Sequence, residues 1–377
     1  MPFPSLGVLW HTFDVELAVI FFWSFVALLA SVAVSFLILQ IFPKLGLLDR
    51  PEKFGLSRRP IPLPGGVGLV LVFLLFLALN HFWAPGVFQD AALLAHFQKQ
   101  IWGLALAILL LATICFFDDR VGLSVILRLA GQVLAALILI AFGVGIEAIS
   151  NPFGVAFDLT GFEIDFLKIG GNWHQINPVA DSITIIWVVL LVNVSNWLDG
   201  VRGLTAGVNF AGGIVLGILA LSESVGQGEI AILSFVFAFC VLGFLPFNLP
   251  PARMLLGDTG AMPMGLILAV LAILSGGKLA TAFLVFALPI FDAVWVFFWR
   301  LKQGRLPWQG RDKAHLHDRL LERNFSEKFI FLIFFSFSSL LGLSALWLHT
   351  LGKVVLVGIF GILFLIFRWS LDWSFSR

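Results

Sequence analysis

Polar residues in this chain are confined to short breaks between long apolar runs. The runs fall at about 17–42, 65–83, 100–117, 123–147, 182–198, 203–222, 229–247, 259–276, 279–299, 328–348 and 353–369. At 1.5 Å per residue, runs of this size suit a hydrocarbon layer roughly 30 Å thick. The pattern predicts an all-α, polytopic integral membrane bundle of about eleven transmembrane helices, forming one domain over residues 1–377. Several runs contain Gly or Pro, which membrane helices tolerate. The first begins near Leu17, after Asp14 and Glu16, with no basic stretch or small-residue cleavage site, and reads as a retained helix. One stretch has a different period. Residues 155–166 alternate apolar and polar around Thr160-Gly161, which predicts a small external β-hairpin near 153–168. Its acids, Asp158, Glu163 and Asp165, read as a solvated face.

Composition agrees with the pattern. The chain is 60% hydrophobic and 12% charged, with a mean hydropathy of +1.03, more apolar surface than a soluble fold can hide. A net charge of +1 gives no reason to expect a nucleic-acid partner. Cys115 and Cys240 both lie inside apolar runs, so no disulfide framework is implied. The distribution of charge is more informative. With the N-terminus outside, Lys99, Lys168, Lys278 and Lys353 face outward, and the remaining nineteen of the 23 Lys and Arg residues fall on the inner side. Positive charge concentrates on the cytoplasmic side of membrane proteins, so the C-terminus is expected inside a multi-pass cell-membrane protein.

That topology gathers five polar clusters on the inner face: 48–66, the pair Asp118-Asp119, 193–203, 248–260 and 300–328. Adjacent carboxylates at a membrane surface repel each other and lose hydration, which suits a divalent cation, a phosphate-bearing substrate or proton transfer. A solvated helix end is the plainer alternative. Asn193, Asn196 and Asp199 are spaced three apart, so two amides and a carboxylate share one helix face, lining either a polar cavity or a helix-packing seam. Asp258 stands between Gly257 and Gly260 at a helix start, where small residues admit phosphate oxygens and a carboxylate can hold Mg²⁺; a simple N-cap is the alternative. His315 and His317 follow Arg311-Asp312-Lys313 in the most basic loop, which favours anionic phosphates over zinc. Asp292 lies about two turns inside its helix and is expected to face the bundle interior.

In order along the chain, these stretches resemble the polyprenyl-phosphate N-acetylhexosamine-1-phosphate transferases. The resemblance runs from about Leu48 to Leu320. It comprises Arg59-Pro-Ile-Pro-Leu-Pro-Gly-Gly66, Phe117-Asp-Asp-Arg120, Asn193-x-x-Asn196-x-x-Asp199-Gly200, residues 243–260, Leu288-Pro-Ile-Phe-Asp292 and His315-Leu-His317. Each motif alone is weak; the ordered set is specific. The His-x-His form is similar to the branch transferring GlcNAc-1-phosphate, with phospho-MurNAc-pentapeptide transfer or a non-catalytic lipid-phosphate scaffold as alternatives.

The resemblance implies transfer of a sugar-1-phosphate from a UDP-sugar to polyprenyl phosphate at the cytoplasmic face, releasing UMP, with Mg²⁺ (or Mn²⁺) as cofactor. A homodimer is compatible with it. It implies a catalytic set of Asp118, Asp119 and Asp199, with Asp258 and Asp199 as metal ligands. Substrate contacts would come from Asn193, Asn196, Arg202, Asn248, His315, His317 and Arg319. Three positions depart from the family pattern. Arg202 replaces a second acid, Asp318 a third histidine, and Leu255 an aromatic residue. Arg202 is expected either to pair with Asp199 or to grip a diphosphate.

Overall fold

A computed structural model describes residues 6–54, 59–79, 82, 91–161, 164–169, 172–223, 225–276, 278–306 and 314–373. Glu163 and the Arg311-Asp312-Lys313 run lie outside the described residues. The helices are α1 (Leu6–Ile41), α2 (Gly66–Ala78), α3 (Ala91–Val121), α4 (Val125–Ala141), α5 (Pro178–Trp197), α6 (Leu204–Leu221) and α7 (Gly228–Asn248). They continue as α8 (Asp258–Leu274), α9 (Leu279–Val285), α10 (Ala287–Lys302), α11 (Leu316–Glu322), α12 (Glu327–Trp347) and α13 (Thr350–Trp373).

Helix α8 is the hub. Every residue from Thr259 to Ile273 is buried, so a helix apolar on all sides is covered on all sides. It packs against α2, α3, α5, α6, α7 and α9. Small residues and side-chain hydroxyls bring α5 close to it: Ser195 Oγ donates to the Ala261 carbonyl at 2.8 Å, and Trp187 Nε1 to the Ala269 carbonyl at 3.2 Å. Asn209 of α6 joins the same seam, donating to Ser195 Oγ at 2.9 Å. The outer helices present apolar side chains outward, as Phe21, Phe25, Ile362 and Leu363 do, in keeping with a lipid-facing rim.

Each of the eleven apolar runs coincides with helix, but not every helix is long enough to cross a bilayer. Seven described helices have the length and apolarity to span, or eight if α9 and α10 count as one. Helices α2, α4 and α8 are shorter, at 13, 17 and 17 residues. The expected single helix over 279–299 is broken. Its two parts, α9 and α10, meet at 77° around Phe286. Pro289 explains the break, because it has no N–H to offer the Val285 carbonyl one turn earlier.

The external strands also differ from expectation. The Thr160-Gly161 turn does not join two paired strands. β1 (Ala148–Ile149) pairs antiparallel with β2 (Phe157–Asp158), and β3 (Ile164–Ile169) with β4 (Asn172–Ile176). Asp158 Oδ1 accepts from both the backbone N and the hydroxyl of Thr160, a local turn that ends β2. The longer pairing lies further along, with Ile169 opposite Asn172 and Ile164 opposite Ile176.

Candidate active site

One end of the bundle collects the C-termini of α3, α5 and α7 and the N-termini of α2 and α8. The 59–66 motif wedges these ends together. Gly65 and Gly66 donate to the Leu255 and Leu256 carbonyls at 2.7 and 2.9 Å, and Leu255 donates to the Pro62 carbonyl at 3.0 Å. A Cβ on Gly66 would strike the backbone of Gly260, which accounts for a glycine at both positions. Asp49 secures the other side of the loop, accepting from Ile61 N at 2.8 Å.

The first turn of α8 is capped from another helix. Gly257, at φ 76°, occupies the cap position and has no side chain to give. Asp119 of α3 supplies the oxygens. Its Oδ1 accepts from Asp258 N at 2.9 Å, and its Oδ2 from Thr259 N at 3.0 Å and Thr259 Oγ1 at 2.6 Å. A carboxylate facing the positive end of a helix is favourably placed. Asp119 therefore builds the site with both its oxygens, where sequence reasoning had assigned it a catalytic part. By doing so it relieves the Asp258 side chain of the capping duty that was that residue's plainer alternative.

Asp118 points elsewhere. It accepts from Leu123 N and, at 3.1 Å, from Arg128. The same Arg128 nitrogen lies 3.3 Å from Asp258 Oδ2, so one guanidinium joins two carboxylates 140 residues apart in the chain. Asp199 sits in the 3-10 turn Leu198–Gly200, close to the Gly257 backbone and within electrostatic reach of Asp258 and Asp119. Four carboxylates thus converge on one helix end.

Of the expected substrate contacts, some are spent on the fold. Asn193 donates to Gln132 Oε1 at 2.6 Å and to the Val189 carbonyl at 2.7 Å, a helix-packing seam between α4 and α5. Asn248 is 2% exposed; it accepts from Gly203 N at 2.9 Å and donates to the Met254 carbonyl at 3.1 Å. It holds two turns together. Asn196 differs, because its Oδ1 is shielded and has no hydrogen-bond partner among the described residues. Arg202 does not pair with Asp199. The 3-10 turn and Gly203, at φ 80°, carry it off the face of α5, and it pairs with Glu327 of α12 at 3.3 Å. Arg319 pairs with Glu322 one turn along α11, at 3.2 Å.

The histidines form a second corner beside the first. His315 Nδ1 lies 2.9 Å from Asp292 Oδ2, and its ring stacks between Trp197 and His317, with centroids at 5.8 and 5.6 Å. His317 is buried, and burial pushes its imidazole below the ordinary value, although Asp318 at 3.6 Å pulls the other way. A Cβ on Gly200 would run into His317, so Asp199-Gly200 is the seam between the two corners. Asp292 is 3% exposed and interior, as expected.

Sequence reasoning missed Arg128, Gln132, Thr259, Trp197 and Arg368. Arg128 and Gln132 left a signal: an i, i+4 polar stripe on the otherwise apolar α4.

Among the described residues, no group of three or more His, Cys, Asp and Glu side chains is arranged as a ready metal cage. The donor set nevertheless fits a hard cation. Mg²⁺ commonly takes one or two carboxylates and leaves its remaining positions to water and phosphate oxygens. Four carboxylates against Arg128 leave a local excess of negative charge that such an ion would balance.

Residues 101–276 match the sequence profile described as Glycosyl transferase family 4. A Bacillus subtilis protein, named a probable undecaprenyl-phosphate N-acetylglucosaminyl 1-phosphate transferase, is 25% identical over 86% of this chain and 84% of its own length. A Thermotoga maritima undecaprenyl-phosphate alpha-N-acetylglucosaminyl 1-phosphate transferase is 28% identical over 81% of this chain and 85% of its own. A Mycobacterium tuberculosis decaprenyl-phosphate N-acetylglucosaminephosphotransferase is 28% identical over 78% of this chain and 73% of its own.

Proposed function

We propose that this chain, whose residues 101–276 match the profile described as Glycosyl transferase family 4, acts as a member of that family and transfers N-acetylhexosamine-1-phosphate from a UDP-sugar to polyprenyl phosphate. An oxygen of the lipid phosphate attacks the sugar-bearing phosphorus. The bond to the bridging oxygen breaks, and UMP leaves with its electron pair. The observation that carries this reading is the convergence of Asp118, Asp119, Asp199 and Asp258 on the head of α8, with Arg128 between two of them. Relatives named for this chemistry align over about four-fifths of the chain, which supports the substrate class.

Asp258 and Asp199 would hold Mg²⁺. Bound there, it would screen two phosphate-bearing substrates from each other and stabilise charge on the transferring group. The chain's own groups do the rest. Asp119 keeps Asp258 in place by capping α8. Arg128 holds Asp118 and can give a hydrogen bond to an incoming phosphate. The Asn196 amide oxygen can accept from a donor N–H, and His315, in its imidazolium form, can donate from Nε2 to phosphate oxygens. Asp119 is fully engaged in the cap and Asp118 in its bonds to Leu123 and Arg128, which favours direct displacement over a phospho-aspartate.

The reading places this end of the bundle at the cytoplasmic face, on the strength of the inward bias of Lys and Arg. It takes all eleven apolar runs as membrane-embedded, with the short α8 enclosed by protein and the short α2 and α4 each keeping an apolar face exposed. The test is purified protein in nanodiscs with undecaprenyl phosphate, Mg²⁺ and a panel of UDP-sugars. UMP release should match formation of lipid-linked product and stop on chelation. No release from any donor would refute the proposal.

A further inference from the structure

Helix α13 lies at the rim of the bundle and is covered over only 11% of its apolar window. Its last turns nevertheless hide a charge. Arg368 is 1% exposed, on an inward stripe with Phe364 and Leu371. A guanidinium buried on a lipid-facing helix is costly unless it is held by an anion and by hydrogen bonds. Both are present. Arg368 Nη2 donates to the carbonyl of Ala314, the residue before His315, and its Nε lies 3.9 Å from Asp292 Oδ1. The guanidinium also sits over the Trp295 ring, 6.0 Å from its centroid.

Asp292 in turn fixes the start of α11. Its Oδ1 accepts from Leu316 N at 2.9 Å, and its Oδ2 faces His315 Nδ1 at 2.9 Å. A carboxylate can only accept, so Nδ1 carries the hydrogen and Nε2 is left over. Trp197 and His317 lie beside the ring in near-parallel orientation, with centroids at 5.8 and 5.6 Å. Among the described residues, Nε2 has no protein partner.

We infer that Arg368 is a positioning residue. From the last helix, it clamps Asp292 and the Ala314 carbonyl, and thereby turns His315 Nε2 toward the phosphoryl group. The inference rests on the transfer reading above for the identity of that group, while the clamp itself is a matter of geometry. It brings α13, which lies beyond the residues matched by the family profile, into the service of the site.

The test is a double-mutant cycle in the UMP-release assay. Arg368→Met should lower kcat roughly 10- to 100-fold, the usual cost of loosening a group that orients another. In the His315→Ala background, the same change should cost less than about twofold, because nothing remains to be oriented. Arg368→Lys, which keeps a charge and one donor, should recover part of the loss. Equal losses in both backgrounds, or full activity in Arg368→Met, would overturn the inference. A second readout does not depend on turnover. Modification of His315 by diethyl pyrocarbonate, mapped by peptide mass spectrometry, should change severalfold in monodisperse Arg368→Met or Arg368→Lys protein. An unchanged rate in both would overturn the clamp. Absence of UMP release from wild type would count against the transfer reading, and the modification rates alone would then decide the clamp.

Discussion

At the head of α8, Asp118, Asp119, Asp199 and Asp258 meet Arg128, whereas at the head of α11 Asp292 meets Arg368 and His315. The first corner has more negative charge than its own side chains balance, and Asp258 keeps a quarter of its side chain open. The second is closed, with Asp292 and Arg368 both buried and each charge matched from within the fold. The difference separates two jobs. A corner in electrostatic deficit is ready for a cation and for whatever anion that cation brings. A balanced corner holds its geometry whether or not a ligand is present. The seam between them is two residues wide, with Asp199 facing α8 and Gly200 lying against His317.

Removing one charge from the open corner should have the largest effect. Asp258→Asn preserves shape and hydrogen bonding but withdraws the charge a hard cation needs, so turnover should fall more than about 100-fold and excess Mg²⁺ should rescue it poorly. Turnover near wild type would reduce Asp258 to part of the α8 head.

Arg128→Met comes next. It leaves Asp118 and Asp258 facing each other without their shared guanidinium, and kcat should drop roughly 10- to 100-fold. Unlike Asp258→Asn, it should raise the Mg²⁺ requirement little, because it makes the corner more negative. A steep new Mg²⁺ dependence would show Arg128 to be part of the metal environment.

Asp119→Asn probes the cap alone. An amide can accept through one side only, so either the bond from Asp258 N or those donated by Thr259 are lost. Thermal unfolding should shift down by about 2–4 °C, with about a tenfold loss of turnover. Thr259→Val should reproduce part of both effects. A collapse of turnover with no change in unfolding would return Asp119 to the chemistry.

The smallest effect belongs to Arg202. Its pairing with Glu327 is half-exposed, and such pairs contribute little, so Arg202→Ala should change turnover less than about threefold. A larger drop confined to the KM for the UDP-sugar would show that the guanidinium leaves Glu327 for the donor.

Much of this site was legible because membrane topology converts sequence order into sides. Once the apolar runs were placed, Asp118, Asp199 and Asp258 had to reach the same end of the bundle, however far apart they lay in the chain. Side was legible, but partnership was not. Whether Asp119 faced a substrate or a helix end depended on a neighbour 140 residues away, and no local spacing carries that information. The Asp199 pairing weighed for Arg202 fails for the opposite reason. Its i+3 relation to Asp199 assumes a helix, but the chain has already turned through Leu198–Gly200. Spacing left Asn193 open between a polar cavity and a helix-packing seam, and its bond to Gln132 makes the seam; Asn248, expected from the family resemblance alone, has backbone partners. The break between α9 and α10 was readable in Pro289. The strand pairing in 148–176 was not, because a polar-apolar alternation shows that strands form without showing which of them pair.

The charge deficit at the head of α8 is most directly tested by Mn²⁺ binding, followed by electron paramagnetic resonance on wild-type and Asp258→Asn protein in nanodiscs, with and without UMP. Wild type should bind one ion more tightly when UMP is present, and Asp258→Asn should lose that site in both conditions. Equal Mn²⁺ affinity in the two proteins, unaffected by UMP, would contradict a metal-and-phosphate site at the head of α8.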